Sequence, residues 1–219
     1  MANCSDAYGT VTLIGEWTPD MCHNLNVLKR EWVYWHYSII IDDDFSPFDL
    51  SLGFFGIGRW TFKSNLESLD EWTREEMENK PLLAAAYLAL TEDMERHGSQ
   101  IEFKYNDEES GNLVLYSDVV TFAAKDGHLV IEQSNEQSHD YTWENYLGFD
   151  YGGEEQLAEL VDDLLAMLTA DQSLHDANRE RVEEWAKANT LPHATADHMG
   201  EEETAAFREA FSDIDLKRV

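Results

Sequence analysis

The chain has 219 residues, 43% hydrophobic and 12% aromatic, too apolar a composition for a disordered acidic polypeptide. Forty-five acids stand against fifteen bases, a net charge of −30, far beyond the roughly 2 to 8 units that keep a small domain soluble. Such a surface repels nucleic acid and anionic membranes and attracts basic partners. The two cysteines, Cys4 and Cys22, make neither a disulfide framework nor a zinc ligand set.

The opening "MANCSDAYG" lacks a basic region followed by an apolar one, so no secretory signal is expected. "PLLAAAYLAL" is about half the length of a membrane span. A cytoplasmic protein is expected.

In chain order, "YGTVTLIGEW" reads as a first strand, and Thr18-Pro19-Asp20 opens a helix through Arg30. "VYWHYSIII" alternates, with Val33, Trp35, Tyr37, Ile39 and Ile41 on one face, which predicts a strand over 33–41. "LSLGFFGIGRWTF" predicts a further strand with glycine interruptions. Ser68-x-x-Glu71 has the form of a capping box for the next helix, and Pro81 breaks or restarts that segment. Leu83, Tyr87, Leu90 and Met94 form one stripe, with Gly98 placed for a C-terminal cap. With "QIEFKY" as a strand, the order is β-α-β-β-α-β, which predicts a ferredoxin-like start to an α+β fold.

An antiparallel β-meander follows, "GNLVLYSDVVTFAA" and "HLVIEQ", joined at the Asp126-Gly127 hairpin signal. "DYTWENYLGFDYGG" fits either a strand or an ordered loop. Leu157, Leu160, Val161, Leu164, Leu165 and Leu168 then trace a helical stripe, with Glu154 and Glu155 at its positive end. Shorter helices are predicted over 173–189 and 201–212. The expected division is an α+β sheet domain over 1–152 and a helical segment over 153–219.

Catalytic motifs are lacking. Gly53, Gly56 and Gly58 have neither the P-loop nor the dinucleotide-binding spacing, and read as a bent or bulged strand. Asp42, Asp43 and Asp44 diverge on an extended backbone, which argues against a divalent metal site. His193 and His198 flank Asp197 without further zinc ligands. No catalytic residue, metal ligand or cofactor is assigned.

What remains is clustered acid on predicted turns and helix faces. The candidate partner-binding residues are Asp42, Asp43, Asp44 and Asp49; Asp107, Glu108 and Glu109; Glu155, Glu159, Asp162 and Asp163; and Glu201, Glu202 and Glu203. DNA binders recognise a dense row of negative charge with Lys and Arg, and a rigid fold displaying carboxylates can occupy the same basic groove. The expectation is a DNA or RNA mimic, of the anti-restriction or anti-CRISPR type that phages and mobile elements use. Its partner is a basic nucleic-acid-binding protein or complex, with no direct contact to nucleic acid or membrane. The alternatives are an immunity- or antitoxin-like block of one basic enzyme, an acidic cytosolic enzyme, and a solvated coat of a salt-adapted proteome.

Overall fold

The computed structural model describes residues 4–34, 37–59, 61–109, 112–149, 152–168 and 171–215. The fold is α+β, and its chain divides into two compact units, Met1–His139 and Asp140–Val219.

The first unit is organised around strand β1 (Cys4–Ile14). It pairs antiparallel with β4 (Ser51–Arg59) on one side and β5 (Gln100–Glu109) on the other. The sheet extends through β3 (Tyr37–Ile40) to β2 (Val33–Tyr34) at one edge, and through β6 (Val114–Lys125) to β7 (His128–Gln133) at the other. β8 (Gln137–Asp140) also pairs with β6. Period-two alternation sends Ala7, Val11, Leu13, Leu52, Phe54, Ile101, Phe103, Val120 and Phe122 into one core. Helices α1 (Pro19–Lys29), α2 (Phe62–Met77) and α3 (Pro81–His97) complete it with Met21, Leu25, Phe62, Leu66, Tyr87, Leu90 and Met94.

Helix boundaries follow local chemistry. The Thr18 hydroxyl accepts from the Met21 N–H at 3.2 Å, and Pro19 supplies a first helical residue with no amide to satisfy. Pro81 starts α3 in the same way, and Gly98, at φ 65°, ends it in the left-handed conformation. Asp126 and Gly127 take φ of 53° and 76°, the two positive values that a tight hairpin between β6 and β7 requires.

Three expectations need correction. Residues 33–41 do not form one strand: Val33 pairs with Ser38 and Tyr34 with Tyr37, so the stretch folds back as a hairpin. Trp35 and His36 lie outside the described residues. The predicted strand does not continue to Phe62, which opens α2 with Thr61 as its cap; Trp60 lies outside the described residues. Ser68 and Glu71 therefore sit inside α2, where an S-x-x-E spacing caps nothing.

The glycines of β4 serve packing. Its pairing with β1 runs in register from Cys4↔Arg59 to Thr12↔Ser51, without a bulge. A Cβ on Gly56 would lie 2.2 Å from the Phe62 ring, and one on Gly58 would lie 2.7 Å from Ser5 Oγ. The missing side chains let α2 close on the sheet.

In the second unit, the ambiguous aromatic stretch contains a short helix, α4 (Trp143–Leu147), capped by Thr142. α5 (Gly153–Leu168) buries Leu157, Leu160, Val161, Leu164, Leu165 and Leu168, the stripe expected from its period. α6 (Gln172–Asn189), a 3-10 turn (Ala196–His198), α7 (Glu201–Ala210) and α8 (Ser212–Asp215) follow. Phe207 packs between Trp185 and Phe211, its ring tilted against both, at centroid distances of 4.8 and 4.9 Å.

Candidate functional site

The three aspartates after β3 stand on a loop held in place from α1. Asn26, 8% exposed, donates through Nδ2 to the Phe45 carbonyl and accepts the Phe45 N–H through Oδ1, both at 2.8 Å. Lys29, 5% exposed, donates to the Ile41 carbonyl at 2.7 Å and lies 3.2 Å from Asp44. Phe45 itself is in the core. Burying an amide and an ammonium is costly unless each is hydrogen-bonded, and here both spend their bonds on fixing one loop.

The four aspartates of that loop differ in what they meet. Asp44, itself exposed, forms ion pairs with Lys29 and with Arg30, the latter at 2.8 Å. Partial burial pushes its carboxyl up, but the bonds and charges of those two cations outweigh it and hold Asp44 below the ordinary value. Asp42, Asp43 and Asp49 are exposed and have no ion pair among the described residues. Beside Asp49 stands Phe48, whose side chain is 100% exposed.

Asp107, Glu108 and Glu109 are in strand, not on a turn. They close β5, and they are 1%, 7% and 2% exposed. Asp107 points at the start of α2, where its Oδ2 accepts the Phe62 N–H at 2.8 Å. Burial pushes its carboxyl up; the Phe62 amide and the Ser5 hydroxyl pull it back, and Glu109 and Asp6 add to the rise. The result is about 7. Close by, Asp118 accepts from Ser134 Oγ at 2.9 Å and from the Asn135 N–H at 2.7 Å. Burial and the charges of Asp118 and Asp107 push the Tyr105 phenol far up. Asp107 and Tyr105 are buried groups with displaced titration, the kind of place where chemistry is often found, and no motif in the sequence marks them.

The second unit carries the acids on helix surfaces. Glu154, Glu155, Glu159, Asp162 and Asp163 are exposed along α5, opposite the leucine stripe. Asp162 pairs with Arg179 of α6. The other four have no ion pair among the described residues. Glu201, Glu202 and Glu203 lie in the first turn of α7, where the helix dipole favours them, and Glu203 accepts the Gly200 N–H at 2.9 Å. This unit holds 20 of the 45 acids and 6 of the 15 bases, a net of −14 over 80 residues. The first unit, with 25 acids and 9 bases, holds the remaining −16.

Two further features were not visible in the sequence. Asp70 of α2 ties three elements together: Tyr87 of α3 donates to it, the Leu129 N–H of β7 reaches it at 2.8 Å, and His128 Nδ1 lies 3.0 Å away. Between α1 and α3 a groove of about 900 Å³ is lined by apolar side chains, among them Val27, Leu82 and Ala86, and by the charged Arg30, Glu31 and Lys80. None of the expected site acids lines it. Among the described residues, no three His, Cys, Asp or Glu side chains are grouped to hold a metal ion. Nor is any helix there long and apolar enough to cross a membrane.

Compared with family models, with curated proteins and with solved structures, the chain shows no match.

Proposed function

We propose that the chain is an acidic binding protein that occupies the nucleic-acid surface of a basic, DNA- or RNA-handling partner, in the manner of anti-restriction and anti-CRISPR inhibitors. The observation that supports this is the outer face of α5. Glu154, Glu155, Glu159 and Asp163 lie within ten consecutive residues, fixed by the buried leucines behind them. At a helical rise of about 1.5 Å per residue, their mean axial spacing is roughly 4–5 Å. One strand of duplex DNA spaces its phosphates by about 3.4 Å along the axis. Glu155, Glu159 and Asp163 follow one another at i, i+4 and i+8 along one face, with Glu154 to its side, and carboxylates fixed at such an axial density gain from the same counterion release and steering that DNA does.

The test is affinity capture with the full chain, followed by competition. The captured protein is expected to bind nucleic acid, to be displaced by duplex DNA or RNA, and to lose affinity by orders of magnitude as salt rises from about 50 to 200 mM. Binding indifferent to competitor and to salt would overturn the proposal.

A second reading, the block of one basic enzyme, has its own support in Phe48, an exposed aromatic side chain beside aspartates that have no ion pair among the described residues. A cytoplasmic location belongs to both readings. The first half of the chain is read as a ferredoxin-like β-α-β-β-α-β start; the order β3-β4-β1-β5, with helices on the connections, supports it.

A further inference from the structure

The Phe48 ring has no place in the core. Its side chain is 100% exposed, while Phe45, three residues earlier, is 3% exposed. The turn between them and Asp49 is closed on itself. Ser46 and Asp49 exchange backbone hydrogen bonds at 3.1 and 3.0 Å, and the Phe48 N–H donates to Ser46 Oγ at 3.3 Å. Below the turn, Asn26 and Lys29 hold the loop to α1. A ring carried on a frame already ordered loses little further freedom on binding, so its burial is converted efficiently into affinity. Aromatic side chains that enter a pocket at the centre of a contact are the usual anchors of an interface.

The surroundings of the ring select what the pocket must look like. Asp42, Asp43 and Asp49 are exposed and have no ion pair among the described residues, whereas Asp44 is already neutralised. An anionic membrane or a nucleic acid is repelled by that flank and by the net −30. A second copy of this chain, equally charged, is repelled as well.

We infer that the turn Ser46–Asp49 is a docking element, and that Phe48 inserts into an apolar cleft of a partner protein rimmed by Lys and Arg side chains. An arginine at the rim gains twice, pairing with Asp42, Asp43 or Asp49 and stacking on the phenyl face. The inference rests on the reading that the partner is basic, and adds to it the surface that makes contact and an apolar component that phosphate mimicry does not have.

The test places a photocrosslinking side chain in the full chain inside cells. Phe48→p-benzoylphenylalanine is compared with Glu159→p-benzoylphenylalanine on the exposed face of α5, and crosslinked proteins are identified by mass. The expected result is a crosslink from position 48 to a basic protein, and an affinity for that purified protein at least tenfold weaker in Phe48→Ser. Because the ring touches no core, the thermal midpoint of Phe48→Ser should match the parent. A crosslink to a basic protein from position 159 but not from 48 overturns the docking turn and leaves the proposed function standing. An unchanged affinity in Phe48→Ser does the same. Crosslinks from neither position to any basic protein overturn both.

Discussion

Asn26 holds both backbone polar groups of Phe45, the carbonyl through Nδ2 and the N–H through Oδ1, each at 2.8 Å. One side-chain amide thus stands in for a strand neighbour at a point where the chain has left the sheet. Asn26→Ala strands a buried N–H and C=O, each costing about 1–3 kcal/mol, so a loss of roughly 2–6 kcal/mol is expected by chemical denaturation. Asn26→Asp keeps the shape but turns the donor into an acceptor facing the Phe45 carbonyl. It should destabilise as well, and more at pH 7 than at pH 4. Equal stability of Asn26→Asp and parent at pH 7 would remove the clamp from the account of the loop.

Asp107 makes stability depend on pH in a direction opposite to that of most carboxylates. Its folded value is raised to about 7, from 3.8 for the free group. The folded chain therefore binds a proton that the unfolded chain has released. The contribution is fully present below about pH 4 and is lost as pH rises through 7. Asp107→Asn keeps an oxygen for the Phe62 N–H and never ionises. It should be more stable than the parent at pH 8, by roughly 2–4 kcal/mol at most, with the gap narrowing toward pH 5. A constant difference across that range would contradict the assignment.

Gly56 is a matter of space. Its missing Cβ is replaced by the Phe62 ring, 2.2 Å from where the atom would be, and overpacking of that kind costs about 1–3 kcal/mol. Gly56→Ala should lower the denaturation midpoint accordingly. Gly53→Ala, whose nearest neighbour is the Gly9 carbonyl at 4.0 Å, should cost far less. If the two variants are equally stable, α2 does not seat against β4 as described.

The exposed carboxylates predict a salt effect on the isolated chain. At −30 the folded state repels itself, and raising ionic strength from about 0.01 to 0.15 M shortens the screening length from roughly 30 to 8 Å. The thermal midpoint should rise over that range. Glu159→Lys with Asp163→Lys should raise it at low salt and flatten its dependence. A midpoint that falls with salt would show that internal pairs such as Arg179–Asp162 and Arg181–Asp213 outweigh the repulsion.

The sequence was most legible where structure is local. Thr18-Pro19, Pro81, Gly98 and Asp126-Gly127 each act within a few residues, and the 157–168 stripe needs only the helical period. It was least legible where the deciding partner is distant. Ser68 and Glu71 imitate a cap inside a helix, while Thr61 and Asp107, the latter 45 residues beyond Phe62, serve the helix start. An acidic triplet reads as solvated, yet the register of β5 against β1 and β6 buries Asp107, Glu108 and Glu109. Exposure is settled in the same way: nothing in "SPFDL" says that Phe48 faces water while Phe45 does not.

The place of β1 bears on how the chain is made. β1 is made before either of its neighbours, β4 and β5, so its second neighbour does not exist until residue 109 has been added. Until then a growing chain carries an open edge of backbone donors and acceptors, the kind of template on which polypeptides aggregate. Pairing across so long a stretch is also slow, because the intervening loop must close before the contact returns anything. Two half-made chains of this composition, however, meet as like charges. The surplus of acid thus opposes their association during the interval when the central strand stands unpaired on one side.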